Sequence, residues 1–277
     1  MHRFLLPLAA LTLAAVPLRA QDWAKAALAK SPRHQEWVTV KQGKRNVQCF
    51  VVYPEVADKA PVVLVIHEIF GLSDWAQELT DELAAAGYIA IAPDLLSGMG
   101  PNGGGTDEIV KATGSATHAV SMLPPEQVTA DLGAVADYAR TIPAANGKLA
   151  VAGFCWGGGQ SFRFATHRQD LAAAFVFYGV APKGADDPAQ ISCPVYGFYA
   201  QMDGRISTSV HGTIELMKKL GKNYQPVIYD KAGHGFMRAG EAPVPADADP
   251  KALAAAEANK KARDDAWVRW KGLLSKL

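Results

Sequence analysis

The part of the sequence that decides the fold reads VAGFCWGGG at residues 151–159. The apolar residues that end at Phe154 predict a buried strand, and the residues after Cys155 predict a helix. Gly153 and Gly157 flank the cysteine, and because glycine lacks a Cβ they allow the backbone to turn sharply there. The segment therefore predicts a strand, a tight turn that exposes the cysteine thiol, and a helix whose N-terminus points at the sulfur.

The rest of the chain alternates short apolar segments with amphipathic ones. Strands are predicted at residues 36–40, 47–53, 62–66, 88–92, 148–154, 175–180, 195–199 and 226–229, and helices at 73–86, 126–140, 157–167, 209–220 and after 250. Glycines and prolines concentrate at residues 97–125, where we expect a long loop or a small cap region. A second linker is expected at residues 240–250. Strands that alternate with helices predict an α/β fold with a doubly wound, mostly parallel sheet, in a single domain over residues 21–277.

The start of the chain has the features of a secretory signal peptide. Arg3 gives a basic start, residues 4–16 are almost all apolar, and the small Ala20 precedes the polar Gln21. The apolar run is shorter than the roughly 20 residues that span a bilayer. We therefore expect residues 1–20 to be cleaved and the mature protein to be secreted or periplasmic, with no membrane attachment.

The composition and the absent motifs exclude several classes of protein. Lys and Arg number 28 against 27 Asp and Glu, a formal net charge of +1, which argues against nucleic-acid binding. Hydrophobic residues make up 49% of the chain, enough to exclude a disordered protein. Neither metal-ligand spacing nor a glycine-rich phosphate motif occurs, so no metal and no cofactor is expected, and four histidines are expected at the surface: His34, His118, His167 and His211. A monomer is favoured, although the sequence leaves the oligomeric state open.

Two polar residues follow later strand ends. Asp203 comes shortly after the strand predicted at 195–199, and His234 lies between two glycines after the strand predicted at 226–229. The carboxyl ends of parallel strands meet at one edge of a sheet, so both side chains are expected near Cys155. The order nucleophile, acid, base suits a catalytic triad in which the imidazole takes the thiol proton and the carboxylate orients the imidazole. The structural alternative is a small buried cysteine beside a tight turn.

The loop after the third predicted strand reads HEIFGL at residues 67–72. A loop in this place contributes one backbone N–H to an oxyanion hole, and the residue after the nucleophile contributes the other, which points to the amides of Ile69 and Trp156. Glu68 would put a second anion beside a thiolate, and like charges raise one of the two pKa values. This carboxylate either accepts the thiol proton or restrains its release, unless it is an ordinary surface glutamate.

The chain resembles the dienelactone hydrolase family, also called the carboxymethylenebutenolidases. The matching segments are residues 67–72, 87–88, 92–95, 153–158, 178–180 and 232–236. The resemblance implies the α/β-hydrolase fold and cofactor-free hydrolysis of an ester or lactone, through a Cys155–His234–Asp203 triad and an acyl-thioester that water cleaves. It also implies that Glu68 hydrogen-bonds the resting thiol and helps to deprotonate it when substrate arrives.

The resemblance further implies which residues contact the substrate, namely Phe70, Tyr178 and Arg238. Members of the family hold a substrate carboxylate with two arginines; Arg238 matches one of them, and Leu96-Ser97-Gly98-Met99 stands where the other is found. Dienelactone itself is therefore less favoured as the substrate than a small ester or lactone in general. The resemblance also implies that Cys49 and Cys193 lie on strands far apart in the sheet, as two buried, reduced thiols.

Three functions fit these observations. The leading one is an exported hydrolase of a small-molecule ester or lactone. The second is a broader acyl hydrolase, such as a carboxylesterase, a thioesterase or a peptidase-like enzyme. The third is an exported ligand-binding protein on a hydrolase scaffold, which the single arginine and the long region at 97–125 would suit. Turnover of substrates and the reactivity of Cys155 distinguish the three.

Overall fold

The computed structural model describes residues 22–184, 186–239 and 248–277. The signal peptide predicted at residues 1–20 lies outside the described residues, as does most of the linker predicted at 240–250. Within the described ranges, no helix is both long enough and apolar enough to cross a membrane.

The described residues form a sheet of eight strands. These are β1 (Gln35–Gln42), β2 (Arg45–Val52), β3 (Ala60–Ile66), β4 (Ile89–Pro93), β5 (Ala145–Phe154), β6 (Ala173–Phe177), β7 (Val195–Ala200) and β8 (Tyr224–Tyr229). Their order in the sheet is β1-β2-β4-β3-β5-β6-β7-β8. β2 pairs with β1 and with β4 in antiparallel fashion, and the other pairs are parallel. The carboxyl ends of β3 to β8 therefore lie at one edge of the sheet.

Helices cover both faces of this sheet. They are α1 (Asp22–Lys30), α2 (Asp74–Ala85), α3 (Thr106–Thr113), α4 (Thr117–Ser121), α5 (Pro125–Thr141), α6 (Trp156–His167), α7 (Gly204–Ser207), α8 (Val210–Lys219) and α9 (Pro250–Leu274). One core cluster joins the sheet to α5, α6 and α8 through Leu132, Phe162 and Met217. A second core cluster joins the sheet to α2 and α9 through Leu79 and Trp270. The predicted doubly wound α/β fold is confirmed.

Most predicted elements are confirmed, and the differences have local causes. β6 ends at Phe177 instead of continuing to residue 180, because Tyr178 adopts φ 40°, a left-handed conformation that ends a strand. The region at 97–125 contains α3 and α4 rather than a continuous loop. α1 has no counterpart among the predicted helices, although Asp22 in its first turn and Lys30 in its last favour a helix there.

Cys49 and Cys193 lie far apart in the sheet, as the resemblance implied. Cys49 is on β2 and Cys193 precedes β7, so that β4, β3, β5 and β6 stand between them. Both are buried free thiols, and burial raises the pKa of each. Both are therefore protonated at neutral pH and poorly nucleophilic.

Candidate active site

Cys155 lies on the tight turn between β5 and α6, with φ 56° and ψ −116°. This backbone conformation is rare for a residue with a side chain and is held by close packing around it. A Cβ on Gly157 would overlap the carbonyl oxygens of Ile66 and His67, at the carboxyl end of β3. A Cβ on Gly153 would overlap the carbonyl oxygen of Gly157. The two glycines predicted for the turn are therefore required by the contact between α6 and the sheet.

The thiol of Cys155 contacts His234, which lies in the loop after β8, and His234 in turn contacts Asp203, which lies in the loop after β7. Nε2 of His234 lies 3.0 Å from the cysteine Sγ, and Nδ1 of His234 lies 2.5 Å from Oδ2 of Asp203. The carboxylate is buried and accepts a hydrogen bond from Nδ1–H, which leaves Nε2 as the nitrogen that can take a proton from the thiol. We call these three residues the Cys155 cluster. The structure brings together the residues predicted as a triad.

Glu68 lies beside this cluster and is almost fully buried. Its Oε1 accepts a hydrogen bond of 3.2 Å from the hydroxyl of Tyr178, and its Oε2 lies 3.2 Å from Nε of Arg238 in an ion pair. We call Glu68, Tyr178 and Arg238 the Glu68 cluster. The hydrogen bond that the resemblance implied between Glu68 and the resting thiol is replaced here by these contacts. A buried carboxylate is better stabilised by a guanidinium than by a neutral thiol, which accounts for the difference.

The three residues predicted to contact substrate take different positions. The guanidinium of Arg238 lies over the ring of Phe70, 5.1 Å from the ring centroid, and Phe70 is exposed at 38%. Tyr178 is only 1% exposed, and its ring packs edge-on against the imidazole of His234 at 5.0 Å. Phe70 and Arg238 are therefore accessible to a ligand, whereas Tyr178 is buried and contacts Glu68 and His234 from the interior of the protein.

The electrostatics of the site keep the Cys155 thiol protonated at rest. Burial, and next to it the negative charge of Glu68, raise the pKa of Cys155 to about 11. The backbone amides of Trp156 and Ile69 and the charge of Arg238 act in the opposite direction. Both amides that were predicted as oxyanion-hole donors therefore lie close to the sulfur, where a carbonyl oxygen of an attacked substrate would need them.

A buried hydrogen-bond network behind the site was not predicted. The backbone N–H of Leu72 donates to Oγ1 of Thr106 at 3.0 Å, and Thr106 donates its hydroxyl and its amide to the two carboxylate oxygens of Asp94 at 2.7 Å each. The network ties the loop at 67–72 to the start of α3. Its signal in the sequence is that Asp94 directly follows the end of a buried strand, near the same edge of the sheet as Asp203.

The four histidines predicted at the surface are exposed: His34, His118, His167 and His211. Within the described parts of the chain, no group of three or more His, Cys, Asp and Glu residues is arranged to hold a metal ion.

Known proteins resemble this chain in sequence and in fold. A family model described as "Dienelactone hydrolase family" matches residues 47–277 of the chain. This protein belongs to the dienelactone hydrolase family. Membership makes it a hydrolase of carboxylic ester or lactone bonds with a small-molecule substrate, and the resemblance seen in the sequence is confirmed.

Relatives in three organisms are each named "putative carboxymethylenebutenolidase". The Escherichia coli K12 protein is 31% identical over 202 residues, which are 69% of this chain and 73% of that protein. The Yersinia pestis protein is 33% identical over 188 residues, or 64% of this chain and 68% of the relative. The Saccharolobus solfataricus protein is 27% identical over 268 residues, or 84% of this chain and 95% of the relative.

Solved structures of this family share the fold. A "putative dienelactone hydrolase" from Klebsiella pneumoniae has a TM-score of 0.70 at 24% identity and covers 88% of this chain and 99% of its own. The promiscuous phosphotriesterase P91, a dienelactone hydrolase-like protein from metagenomic libraries, has a TM-score of 0.68 at 21% identity, with coverage of 88% and 98%. At these identities the similarity concerns the fold alone.

Proposed function

We propose that this family member hydrolyses small esters or lactones with Cys155 as the nucleophile, His234 as the general base and acid, and Asp203 as the residue that orients the imidazole. The observation that carries the proposal is the continuous contact from the carboxylate through the imidazole to the sulfur, at 2.5 and 3.0 Å. Both distances lie within hydrogen-bond reach, as a nucleophile and its base require.

In the first half of the reaction, Sγ of Cys155 attacks the carbonyl carbon while Nε2 of His234 takes the thiol proton. Because the thiol pKa is raised to about 11, the proton leaves as the bond to carbon forms rather than beforehand. The negative oxygen is bound by the N–H groups of Ile69 and Trp156. The intermediate then collapses, His234 returns the proton to the leaving alcohol, and an acyl-thioester on the cysteine remains.

In the second half, a water molecule takes the place of the alcohol. Nε2 of His234 accepts one proton of the water as its oxygen attacks the thioester carbonyl, and the same N–H groups bind the new oxyanion. Collapse expels the sulfur, which recovers its proton from the imidazolium. The products are the carboxylic acid and the resting Cys155 thiol, and the carboxylate of Asp203 stabilises the imidazolium in both halves.

The Glu68 cluster sets the resting state and one wall of the site. The charge of Glu68 raises the thiol pKa and so restrains ionisation until a substrate is bound. Arg238, paired with Glu68, and the exposed ring of Phe70 line the entrance where a substrate carbonyl or a substrate anion would approach. Tyr178 acts on the reaction through its hydrogen bond to Glu68.

Cleavage of residues 1–20 and export to the periplasm or the cell exterior are part of the proposal. The support is the basic, apolar and small-residue pattern of that segment. A protonated thiol is also suited to an oxidising compartment, because the thiolate is the form that oxidants attack. Sequencing the N-terminus of the protein recovered from a bacterial periplasm tests this; a mature chain beginning at Gln21 is expected, and an intact Met1 in the cytoplasm contradicts it.

The mechanism is tested with p-nitrophenyl acetate. The native protein is expected to turn the ester over and to carry a transient acetyl group on the peptide that contains Cys155, as seen by mass spectrometry after an acid quench. Cys155→Ala should lose activity by at least about 10³-fold, whereas Cys193→Ala, which changes a buried thiol elsewhere, should retain it. Undiminished hydrolysis by Cys155→Ala would reject the mechanism.

A substrate panel separates this proposal from its alternatives. Matched lactones, aryl esters, thioesters and peptides compare the proposed class with broader acyl hydrolysis. Turnover confined to peptides would overturn the assignment to esters and lactones. Tight ligand binding without turnover, together with a Cys155 thiol that iodoacetamide does not label, would indicate a binding protein instead.

A further inference from the structure

His67 directly follows β3 and is fully buried, although no role has been assigned to its side chain. Its Nδ1 lies 2.8 Å from the backbone carbonyl oxygen of Glu68. A carbonyl oxygen only accepts hydrogen bonds, so at this distance Nδ1 must carry the proton. Burial also lowers the pKa of His67, which favours the neutral ring with a single N–H. The imidazole is therefore a donor aimed at one defined backbone atom.

That carbonyl belongs to the peptide group whose N–H is the amide of Ile69. The described chain contains no cis peptide bond, and in a planar trans peptide the C=O and the N–H point in opposite directions. The carbonyl of Glu68 accepts hydrogen bonds from Nδ1 of His67 and, at 3.1 Å, from the backbone N–H of Gly71. Together these bonds also fix the direction of the Ile69 N–H. Accepting a hydrogen bond at the oxygen polarises the peptide group and strengthens its N–H as a donor.

The same histidine contacts the side chain of Trp156, the residue that supplies the second amide of the oxyanion hole. Its ring stacks on the indole of Trp156, with centroids 5.6 Å apart and planes at 15°. The carbonyl oxygen of His67 lies against Gly157, where a Cβ would not fit. The side chain and the backbone of one residue thus touch the two segments that supply the two N–H donors.

In the described part of the chain, the second ring nitrogen of His67, Nε2, makes no contact that would explain a histidine at this position. Nε2 of His67 is buried and has no hydrogen-bond partner among the described residues. A phenyl ring would stack on Trp156 without burying such an atom. Packing alone therefore does not account for an imidazole here, and the Nδ1–H bond to the Glu68 carbonyl does.

We propose that His67 is a positioning residue for the oxyanion hole, which holds the Ile69 N–H through the Glu68 carbonyl and the Trp156 segment through ring stacking. This inference rests on the proposed function, because it assumes that the amides of Ile69 and Trp156 stabilise a negative oxygen during acyl transfer. It adds a residue that does not itself touch substrate and whose effect is largest in steps that create an oxyanion.

Two variants separate the donor from the ring. His67→Phe keeps a ring that stacks on Trp156 and removes the N–H. His67→Asn removes the ring and keeps an amide N–H that reaches the position of Nδ1. Each is compared with the native protein in kcat and KM for p-nitrophenyl acetate, in thermal midpoint, and in the rate at which iodoacetamide alkylates Cys155. Alkylation is a displacement at a saturated carbon and creates no oxyanion, so it reports on the nucleophile alone.

His67→Phe should lose at least about tenfold in kcat, since removal of a whole oxyanion-hole donor costs about 10²–10³-fold. Its KM should stay within about threefold of the native value, because ground-state binding is untouched. Its alkylation rate should fall less than kcat, because the Ile69 N–H acts on the thiol only by lowering its pKa. His67→Asn should recover most of the lost kcat.

Three results would overturn the inference. Native kcat in a folded His67→Phe would show that the donor is unnecessary, and an equal fall in turnover and alkylation would show a general structural role. If His67→Phe does not fold, the test rests on His67→Asn. A tenfold loss of kcat in His67→Asn at a native alkylation rate would contradict the role of the N–H, because that variant keeps the donor. Failure of the proposed function looks different, since it appears as ester hydrolysis that survives Cys155→Ala.

Discussion

The Cys155 cluster and the Glu68 cluster share one edge of the sheet but are held in place in different ways. Cys155 is fixed by a backbone turn that glycines allow, and Asp203 and His234 each follow the carboxyl end of a strand. Glu68 and Arg238, in contrast, are brought together by the attraction of two opposite charges in a site with little solvent. The geometry of the first cluster is set by the backbone fold. The geometry of the second is set by which neighbouring side chains pair with the buried carboxylate of Glu68.

This difference predicts how each cluster responds to substitution. In the proposed mechanism each residue of the Cys155 cluster has a separate chemical task, so removing one should abolish the reaction without moving the others. In the Glu68 cluster the groups affect one another: Glu68 raises the pKa of Arg238 and also that of Cys155. Removing a charge there should change the titration of the thiol rather than abolish the chemistry.

A large effect, comparable to that of Cys155→Ala, is expected from His234→Ala. Loss of the general base should lower kcat/KM for p-nitrophenyl acetate by about 10²–10⁴-fold, with a thermal midpoint close to that of the native protein because the side chain is partly exposed. His211→Ala, an exposed histidine on α8, is the control and should keep full activity. A loss of only a few-fold in His234→Ala would mean that another group removes the thiol proton.

A smaller effect is expected from Gly157→Ala, which tests whether the fold positions Cys155. The added Cβ would overlap backbone oxygens of Ile66 and His67, which cannot move aside as a side chain can. We expect a loss of about 1–3 kcal/mol in the free energy of unfolding, measured by urea denaturation, together with a fall in activity.

Gly133→Ala is the matched control for that substitution. Gly133 lies inside α5, and a Cβ there would meet nothing within 4 Å. This variant should gain about 0.5–1 kcal/mol, because alanine favours a helix over glycine. Equal stabilities for the two variants would contradict the view that close packing of α6 against β3 sets the turn.

The difference between the Cys155 cluster and the Glu68 cluster also explains which features the sequence predicts well. Buried strands such as β3 and β5 are visible as apolar runs, and glycines around Cys155 mark a turn, because both are local consequences of backbone sterics. Asp203 and His234 were found because parallel strands end at a common edge. Each of these predictions needs only the strand order and the position of a residue along its strand.

The partners of Glu68 were not predicted, for a physical reason. Glu68 and Arg238 are far apart in sequence, and whether a buried carboxylate pairs with a thiol, a hydroxyl or a guanidinium depends on side-chain orientations that no local pattern encodes. The left-handed conformation of Tyr178, which ends β6 early, is likewise set by its surroundings, since a tyrosine has no intrinsic preference for it.

The smallest effect, a shift in the titration of the Cys155 thiol, is expected from two substitutions in the Glu68 cluster. Glu68→Gln removes the negative charge that raises the thiol pKa, so the pKa should fall below its native value of about 11. Arg238→Met removes the positive charge that lowers it, so the pKa should rise. At pH 8 the thiolate fraction, and with it the rate of alkylation by iodoacetamide, should therefore increase severalfold in Glu68→Gln and decrease in Arg238→Met.

The alkylation rate measured from pH 7 to pH 11 checks both signs in one experiment. Lys231→Met, which alters a cation in the loop before His234, is the control and should leave the profile unchanged. If both Glu68 and Arg238 variants shift the profile in the same direction, the ion pair matters through its effect on packing rather than through its charges. The two clusters would then be coupled through the shape of the site, and the contrast between a cluster held by the fold and one held by charge would not hold.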